Sequence, residues 1–408
     1  LIEDNAYFWP AGEVGPVALG DRVVLHQGTY ADWAYDGEVV YHEVTHAVMH
    51  TTTDLGWSRR DAVGIDPSPG GLHEGFSDYF AATMTGNAEL AAYAGSDEDG
   101  PQTMSTLDEE VGCDEILTGE EHDESRPWAS ALWAIRRSLL SQARRDVFDR
   151  ALFRVISALR RGDGFPEARA LVEAELAQAM EEHISAERLR GTEAARAREM
   201  VARAGEKFDA RAIGACGGRI LAVAPGEPKA ALNARGPLTW QSPVAAGSLA
   251  PTTMQFALEV TAPTTALKLT IGSSYPLSDE LQPDGVPTEP ALVALVRGGT
   301  PITWRWSGRT GRHDATSSQP VTIRRTGARA GEAVIEGDFA PGTYYVQLAN
   351  GGADWGLEDL ALHVADGDGK FDDGGAGVDE AGGCQVGGGG GALLALVGVL
   401  GGLRRRRR

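Results

Sequence analysis

The spacing of apolar residues changes near Cys216 and divides the chain into two parts with different secondary structure. Between about residues 36 and 214, apolar residues recur every three or four positions, which predicts amphipathic helices. After Cys216 the chain has short alternating or β-branched runs separated by Gly, Pro and Asp, which predicts the strands of a β-sandwich. We therefore expect a multidomain α+β chain, mainly helical at first and then all-β.

The same patterns give approximate boundaries for the individual elements. Helices are predicted at 38–50, 72–84, 128–140, 146–160, 166–182 and 186–204. Strands are predicted at 254–260, 266–271, 291–297, 320–325, 333–336, 343–348 and 360–364.

The charge balance narrows the choice of partners. The 408 residues contain 37 Lys and Arg against 58 Asp and Glu, a formal net charge of −21. An excess of acid this large repels phosphate backbones, so we expect no nucleic-acid partner. The 42% hydrophobic content excludes most disordered, collagenous and multi-span membrane classes.

Residues 42–46 are His-Glu-Val-Thr-His, inside a predicted helix. Positions i and i+4 share one helix face, so His42 and His46 can present two imidazole nitrogens to one tetrahedral Zn²⁺. Glu43 lies beside them and is the candidate general base for a metal-bound water. The competing interpretation is an exposed helix that carries two histidines by chance. His50 continues this face, but one zinc ion does not need it.

A catalytic zinc takes a third protein ligand and keeps its fourth position open for water. In the metzincin class of zinc peptidases, a third His follows ten positions after the first. That position is Thr52 here, and the expected glycine is replaced by Met49, so the metzincin class is excluded.

A carboxylate on a following helix is the other solution. Glu74 provides one, 28 residues after His46. Asp78 follows one helical turn later, where it can accept a hydrogen bond from the far nitrogen of a ligand imidazole and fix its tautomer. His73 remains a rival for the third ligand position.

The segment Ala-Tyr-Asp-Gly-Glu-Val-Val-Tyr-His-Glu-Val-Thr-His-Ala-Val at 34–48, followed by Glu-Gly-Phe-Ser-Asp at 74–78, resembles the thermolysin and fungalysin group of zinc endopeptidases, the gluzincins. The resemblance runs from Asp4 to about Gly214. It implies a thermolysin-like catalytic lobe with one catalytic zinc, and an N-terminal β-rich lobe and propeptide ahead of Leu1. It also matches His122 to the family's oxyanion-binding His, and Asn5 and Ala6 to an edge strand that binds the substrate backbone.

Three positions depart from the family pattern. Trp57 stands where a Tyr is usual, Gln102 stands near the place of an oxyanion-supporting Arg, and Arg126 replaces a small or apolar residue. The departures predict that oxyanion stabilisation depends on His122 and zinc alone. They favour one alternative, a catalytically weakened surface binding or adhesion protein. Glu43 argues against it, because a purely structural zinc site needs no general base.

The two ends of the chain suggest export. Residues 1–20 contain no secretory signal, so we expect the true start to lie upstream. At the other end Cys384 precedes a Gly-rich run, a short apolar stretch at 392–403 and five arginines, which has the physics of a marginal stop-transfer element. This arrangement resembles a MYXO-CTERM type of sorting tail and implies display on the cell surface. The competing interpretation is a solvated basic tail on a Gly-rich linker.

We therefore divide the chain into four regions. These are a metallopeptidase domain at 1–214, a β-sandwich accessory domain at 217–365, a Gly/Asp-rich linker at 366–383 and a sorting tail at 384–408. The linker aspartates could bind Ca²⁺, but their spacing does not make a twelve-residue calcium loop and a solvated linker is favoured. Cys113 and Cys216 either form a disulfide or are separate buried thiols.

The function that we expect is a secreted or surface-anchored zinc metalloendopeptidase. Its substrates would be proteins or peptides, and contact with a membrane would come only through the tail. We expect a monomer. An aminopeptidase is excluded because its shorter spacing would place the third ligand at Ile65.

Overall fold

The computed structural model describes residues 4–10, 20–113, 119–228, 232–235, 244–245, 248–277, 291–313, 321–326, 330–366 and 370–371. Within these residues the fold is mixed α+β, with helices first and most strands after them. The predicted sorting tail and nearly all of the predicted linker lie outside the described residues. Every helix in the described part of the chain is too short or too polar for a membrane span.

The helices follow one another along the chain, with the longest connection between Thr85 and Glu121. Asp36 caps the first helix, where its side chain accepts a hydrogen bond from the Val39 N–H at 3.2 Å. Pro166 lies in the first turn of the fifth helix, where its missing N–H costs nothing. The α-helices are α1 (Gly37–Thr52), α2 (Ser68–Thr85), α3 (Glu121–Ser138), α4 (Gln142–Ala158), α5 (Phe165–Ala186), α6 (Thr192–Asp209) and α7 (Ile213–Gly218).

Helix α3 begins seven residues before the predicted start at 128. The Glu120 side chain accepts a hydrogen bond from the Asp123 N–H at 2.9 Å, which satisfies a donor of the first turn. Acidic residues in that turn also interact favourably with the helix dipole. These local contacts outweigh the cost of Pro127 inside the helix. His122 therefore lies in the first helical turn and not in a loop.

Helix α2 is the centre of the helical part, and its first half is buried on all sides. Its glycines let neighbouring elements approach closely. A Cβ atom at Gly71 would lie 2.8 Å from the Phe165 ring of α5, and one at Gly75 would lie 2.7 Å from the Trp128 ring of α3. Helices α5 and α3 can therefore pack close to α2, and the approach of α3 brings His122 toward Glu74.

Two short strands precede the helices, and most of the others follow them. The strands are β1 (Ala6–Trp9), β2 (Arg22–Leu25), β3 (Arg59–Arg60), β4 (Ile65–Asp66), β5 (Glu89–Leu90), β6 (Ser105–Thr106), β7 (Ile220–Val223), β8 (Leu232–Ala234), β9 (Ala250–Pro251), β10 (Gln255–Val260), β11 (Thr264–Ile271), β12 (Ser273–Pro276), β13 (Leu292–Gly298), β14 (Trp304–Ser307), β15 (Thr310–His313), β16 (Val321–Thr322), β17 (Arg324–Arg325), β18 (Gly331–Phe339), β19 (Gly342–Asn350), β20 (Trp355–Glu358) and β21 (Ala361–Val364).

The strands after α7 form two larger sheets and smaller ones. The first sheet has the order β16-β13-β19-β10-β7, with β9 also paired to β19, and the second has the order β17-β18-β11-β21. Strands β12, β20 and β8 form a third sheet. Side chains from the two larger sheets, including Phe256 and Leu269, line one small cavity between them. Their buried apolar residues belong to the same connected core as those of the helices.

A disulfide joins Cys113 to Cys216, which are 103 residues apart. Cys113 lies ahead of α3 and Cys216 lies in α7, directly before the strand-rich part. The backbone supports the pairing, because the Cys113 N–H donates to the Arg211 carbonyl at 2.9 Å. Of the two alternatives that the sequence leaves open for these cysteines, the structure has the disulfide.

Candidate metal centre

The two histidines of α1 and the first acid of α2 converge on one point. His42 Nε2 lies 3.0 Å from His46 Nε2 and 3.1 Å from Glu74 Oε2. His46 Nε2 lies 3.4 Å from the same Glu74 oxygen. Helix α1 supplies two donors four residues apart, and α2, the next α-helix along the chain, supplies the third. The three atoms form a compact triangle of possible metal ligands.

The shape of this triangle fits a zinc ion. Metal–ligand distances of about 2.0–2.1 Å at tetrahedral angles place donor atoms about 3.3 Å apart. The three separations, 3.0, 3.1 and 3.4 Å, are close to that value. Two imidazole nitrogens with one carboxylate oxygen is also a donor set that catalytic zinc uses, with a fourth position left for water.

Asp78 contacts His42 at Nδ1, the ring nitrogen that does not belong to the ligand triangle. Its Oδ1 accepts a hydrogen bond from His42 Nδ1 at 2.9 Å. With a metal ion bound, this bond would keep the proton on Nδ1 and leave the lone pair of Nε2 to ligate the ion. The structure therefore brings Asp78 to the position that the helical spacing predicts.

Replacing Asp78 with Asn is expected to weaken zinc binding about 10- to 100-fold, because the amide no longer enforces the tautomer and basicity of His42. Competition with a chromogenic chelator measures the change. Asp149 provides a matched control, since it pairs with Arg136 and Tyr79 elsewhere in the helical part. Asp149→Asn is expected to keep zinc affinity, and a wild-type zinc affinity in Asp78→Asn would contradict the role of this hydrogen bond.

Glu43 is buried, with only 6% of its surface exposed. Its Oε2 atom is also buried and has no hydrogen-bond partner among the described residues. An unpartnered buried carboxylate oxygen costs about 1–3 kcal/mol or more. Such a cost is common where the missing partner is a water or a substrate.

His122 approaches the triangle from α3. Its Nε2 lies 3.5 Å from Glu74 Oε2, while Glu120 Oε1 accepts a hydrogen bond from Nδ1 at 2.7 Å. The side chain of His122 is 56% exposed, unlike that of Glu74 at 5%, so its ring borders the open side of the site. Sequence reasoning missed Glu120, although an acid two residues before a candidate His is the available signal.

The electrostatics of the site favour a cation. Burial alone would lower the pKa of His42, but the hydrogen bonds with Asp78 and Glu74 outweigh it and raise that pKa well above its usual value. Desolvation likewise opposes a charged His122, yet the carboxylates of Glu120 and Glu74 raise its pKa well above normal. The same negative potential would stabilise a divalent metal ion.

Glu74 itself is held in its charged form. Burial would raise the pKa of Glu74, but the nearby charges of His122 and His46 bring it well below its usual value. An ionised carboxylate is the form that ligates a metal.

His73, the rival third ligand, lies outside the triangle. Its ring stacks on Trp57 at 4.7 Å between centroids and lies 5.9 Å from the ring of His46. Burial lowers the pKa of His73 to about 3, so the ring stays neutral. Trp57 therefore packs against His73 and also lies near the ligand His46, with 5.8 Å between the ring centroids of Trp57 and His46.

The remaining predicted residues take different positions. Ala6 begins β1, and Asn5 precedes it with its side chain accepting a hydrogen bond from the Ala6 N–H at 2.8 Å. Strand β1 lies against α1, where Phe8 contacts His50 at 5.5 Å between ring centroids. Among the described residues, β1 pairs only with β2, which leaves its other edge free of a strand partner.

Two of the residues that depart from the thermolysin-like pattern make their described contacts outside the ligand triangle. Arg126 makes a two-contact ion pair with Glu109, with Nε at 3.1 Å from Oε2. Gln102 is exposed, and its carbonyl oxygen approaches Gly95. Neither residue has a described contact with the ligand triangle.

A second group of possible ligand atoms comes from Glu120, Glu121 and His122 at the start of α3. Burial, with a further contribution from Glu120, raises the pKa of Glu121 to about 7. The Glu120 carboxylate already engages His122 Nδ1. These contacts indicate that the group orients the His122 ring and does not form a separate metal site.

Comparison with protein-family models and with curated proteins gives no match for this chain.

Proposed function

We propose that this protein is a zinc-dependent endopeptidase similar to the thermolysin and fungalysin group. The observation that carries the proposal is the convergence of His42, His46 and Glu74 at tetrahedral spacing, with a buried Glu43 on the same helix. A purely structural zinc site commonly has four protein ligands, whereas three ligands beside a carboxylate are typical of hydrolytic sites.

His42, His46 and Glu74 would hold the zinc ion. When bound, zinc would supply Lewis acidity that polarises a peptide carbonyl and lowers the pKa of a water toward about 7. Glu43 would take a proton from the attacking water at its free Oε2 and pass it to the leaving amine. His122 would donate from Nε2 to the oxygen on which negative charge develops, while Glu120 keeps its ring in place.

The edge of β1 that faces away from β2, and that has no strand partner within the described ranges, is the proposed binding surface for the peptide. An extended substrate could add to this edge as a strand, held by main-chain hydrogen bonds near Asn5 and Ala6. Strand β1 runs beside α1, with Ala6 packed near Val39 and Phe8 near His50, so it flanks the segment that contains both histidine ligands.

Export and surface display are part of the proposal. The Cys113–Cys216 disulfide fits an oxidising compartment, where such bonds form and persist. The sorting tail that the sequence predicts would then attach the enzyme to the cell surface.

The second candidate is a surface binding or adhesion protein with weakened catalysis. Trp57 favours it, because its indole stacks on His73 and brings no acidic hydroxyl to the site. Both candidates would bind zinc, and only the peptidase would turn over substrate.

Metal removal distinguishes the two candidates. We expect hydrolysis of a casein-type substrate to disappear on treatment with a zinc chelator and to return with about one equivalent of Zn²⁺ per chain. The measurements are release of soluble peptides and bound metal by elemental analysis. A chain that binds one zinc tightly but hydrolyses no peptide with or without it would favour the binding protein, and a chain that binds no zinc would contradict both.

A further inference from the structure

The hairpin β3–β4, which leads directly into α2, is held by the strand-rich part of the chain. The turn of this hairpin spans residues 61–64, and its carbonyl groups point toward donors that lie far away in sequence. Three carbonyls of the turn and one of β4 accept such bonds: Asp61 from Trp306 Nε1 at 2.7 Å, Ala62 from the Trp304 N–H at 2.8 Å, Val63 from Gln347 Nε2 at 2.9 Å and, in β4, Ile65 from Arg219 Nη1 at 2.8 Å.

Arg219 is the central donor. Its side chain is only 1% exposed. Nη1 donates to the carbonyls of Ile65 and, at 3.1 Å, Thr253, while Nη2 pairs with the Asp61 carboxylate. The planar guanidinium presents its donors in a rigid fork, whereas a lysine carries its three donors on a single nitrogen and cannot reproduce that geometry.

The backbone at Arg219 is also constrained. Its φ angle is +50°, in the left-handed region that residues other than Gly, Asn and Asp seldom adopt. Such a conformation persists only where surrounding contacts determine it. The residue stands between α7 and β7, and its carbonyl accepts a hydrogen bond from the Gln255 N–H at 3.0 Å. The geometry at this junction is therefore fixed from both sides.

Hydrogen bonds of Asp66 connect the hairpin to the start of α2. Asp66, the last residue of β4, accepts a hydrogen bond at Oδ1 from the Ser68 N–H at 3.0 Å, at the first residue of α2. Its other oxygen lies 2.7 Å from Arg59 Nε, across the hairpin. Glu74 follows Ser68 by six residues on the same rigid helix, so the position of the hairpin sets where its carboxylate lies.

A second contact from the strand-rich part reaches the segment before α3. Gly119 has a φ angle of +83°, and a Cβ atom there would lie 3.0 Å from the side chain of Thr253. The Gly119 N–H donates to Glu124 at 2.9 Å, inside the helix that carries His122. The Thr253 carbonyl also accepts a hydrogen bond from Arg219. Thr253 therefore contacts the segment before α3 and also the arginine that binds the hairpin before α2.

We propose that Arg219 is a positioning residue for the metal centre: through the β3–β4 hairpin it places Glu74 against His42 and His46. The strand-rich part is then an integral support of the site and not a separate accessory module. This inference rests on the proposed function for the identity of the metal.

The test measures zinc affinity in the full chain, independently of turnover. We expect Arg219→Met to weaken zinc binding about tenfold in competition with a chromogenic chelator, comparable to the loss of a group that orients a ligand. Arg219→Lys keeps the charge near Asp61 without the fork, and we expect an intermediate effect. The absorption spectrum of the Co²⁺-loaded protein is expected to shift in both variants, because it reports ligand geometry.

Arg324→Met is the matched control. Arg324 pairs with Glu332 within the second sheet, and its variant is expected to bind zinc as the wild type does. If Arg219→Met fails to fold, Trp306→Phe removes a single hydrogen bond to the hairpin and is expected to weaken zinc binding severalfold.

Wild-type zinc affinity and an unchanged Co²⁺ spectrum in both Arg219→Lys and Trp306→Phe would overturn the positioning role, even if both variants melt at lower temperature. That result would leave the proposed metal centre standing. A wild-type chain that does not bind zinc would instead remove the proposed function, and the positioning role with it.

Discussion

Replacing Glu43 with Gln is expected to lower kcat for peptide hydrolysis by about 10²–10⁴-fold while zinc remains bound. Glutamine is nearly the same size and keeps the buried packing, but its amide cannot accept a proton from water. The structure motivates this expectation because Glu43 is buried and its Oε2 has no partner among the described residues. Glu43 is also outside the ligand triangle.

The measurement pairs steady-state kinetics on a peptide substrate with zinc content per chain. Glu38→Gln is a suitable control, because Glu38 lies in the first turn of the same helix, one turn before His42, and is not one of the three ligand residues. We expect it to retain both zinc and activity. Equal activity in wild type and Glu43→Gln would contradict a general-base role, whereas equal inactivity with full zinc occupancy would favour the binding protein.

Replacing His122 with Ala is expected to lower kcat by about 10²–10³-fold, with a much smaller change in KM. The reason is that negative charge on the substrate oxygen develops in the transition state, so a donor there stabilises that state more than bound substrate. Glu120 accepts a hydrogen bond from His122 Nδ1, and the His122 side chain is exposed beside the buried Glu74 carboxylate.

His183→Ala controls for loss of a histidine. His183 lies in the last turn of α5, about 27 Å along that helix from the Phe165 end, which packs on α2. Zinc content should be unchanged in both variants. If His122→Ala changed KM and left kcat intact, His122 would be a substrate-binding residue and its transition-state role would be wrong.

Much of the helical framework can be predicted from the sequence because the signals are local. Apolar spacing over 38–50 and 72–84 predicts helices that the structure has at Gly37–Thr52 and Ser68–Thr85. The spacing of His42 and His46 also fixes their shared face. The strands after α7 were located where β-branched runs are strong, as at 266–271 within β11.

Errors arose where a nonlocal or capping interaction decided the outcome. Helix α3 starts at Glu121, seven residues before the predicted start at 128, because the Glu120 side chain caps it. The sequence pattern also missed several strands, among them β7, which pairs in parallel with β10 at the edge of the first sheet. A short edge strand gains its stability from its neighbour, which local spacing does not reveal.

The sequence by itself determined the helical presentation of His42, Glu43 and His46, because i and i+4 side chains share a helix face whatever surrounds them. Only the tertiary structure decided that Glu74, not His73, closes the triangle, since that depends on how α2 packs against α1. The tertiary structure also decided the Cys113–Cys216 disulfide and the hydrogen bonds from Arg219 to the β3–β4 hairpin. Contacts between residues more than a hundred positions apart follow from packing of the whole core, which no short stretch of sequence encodes.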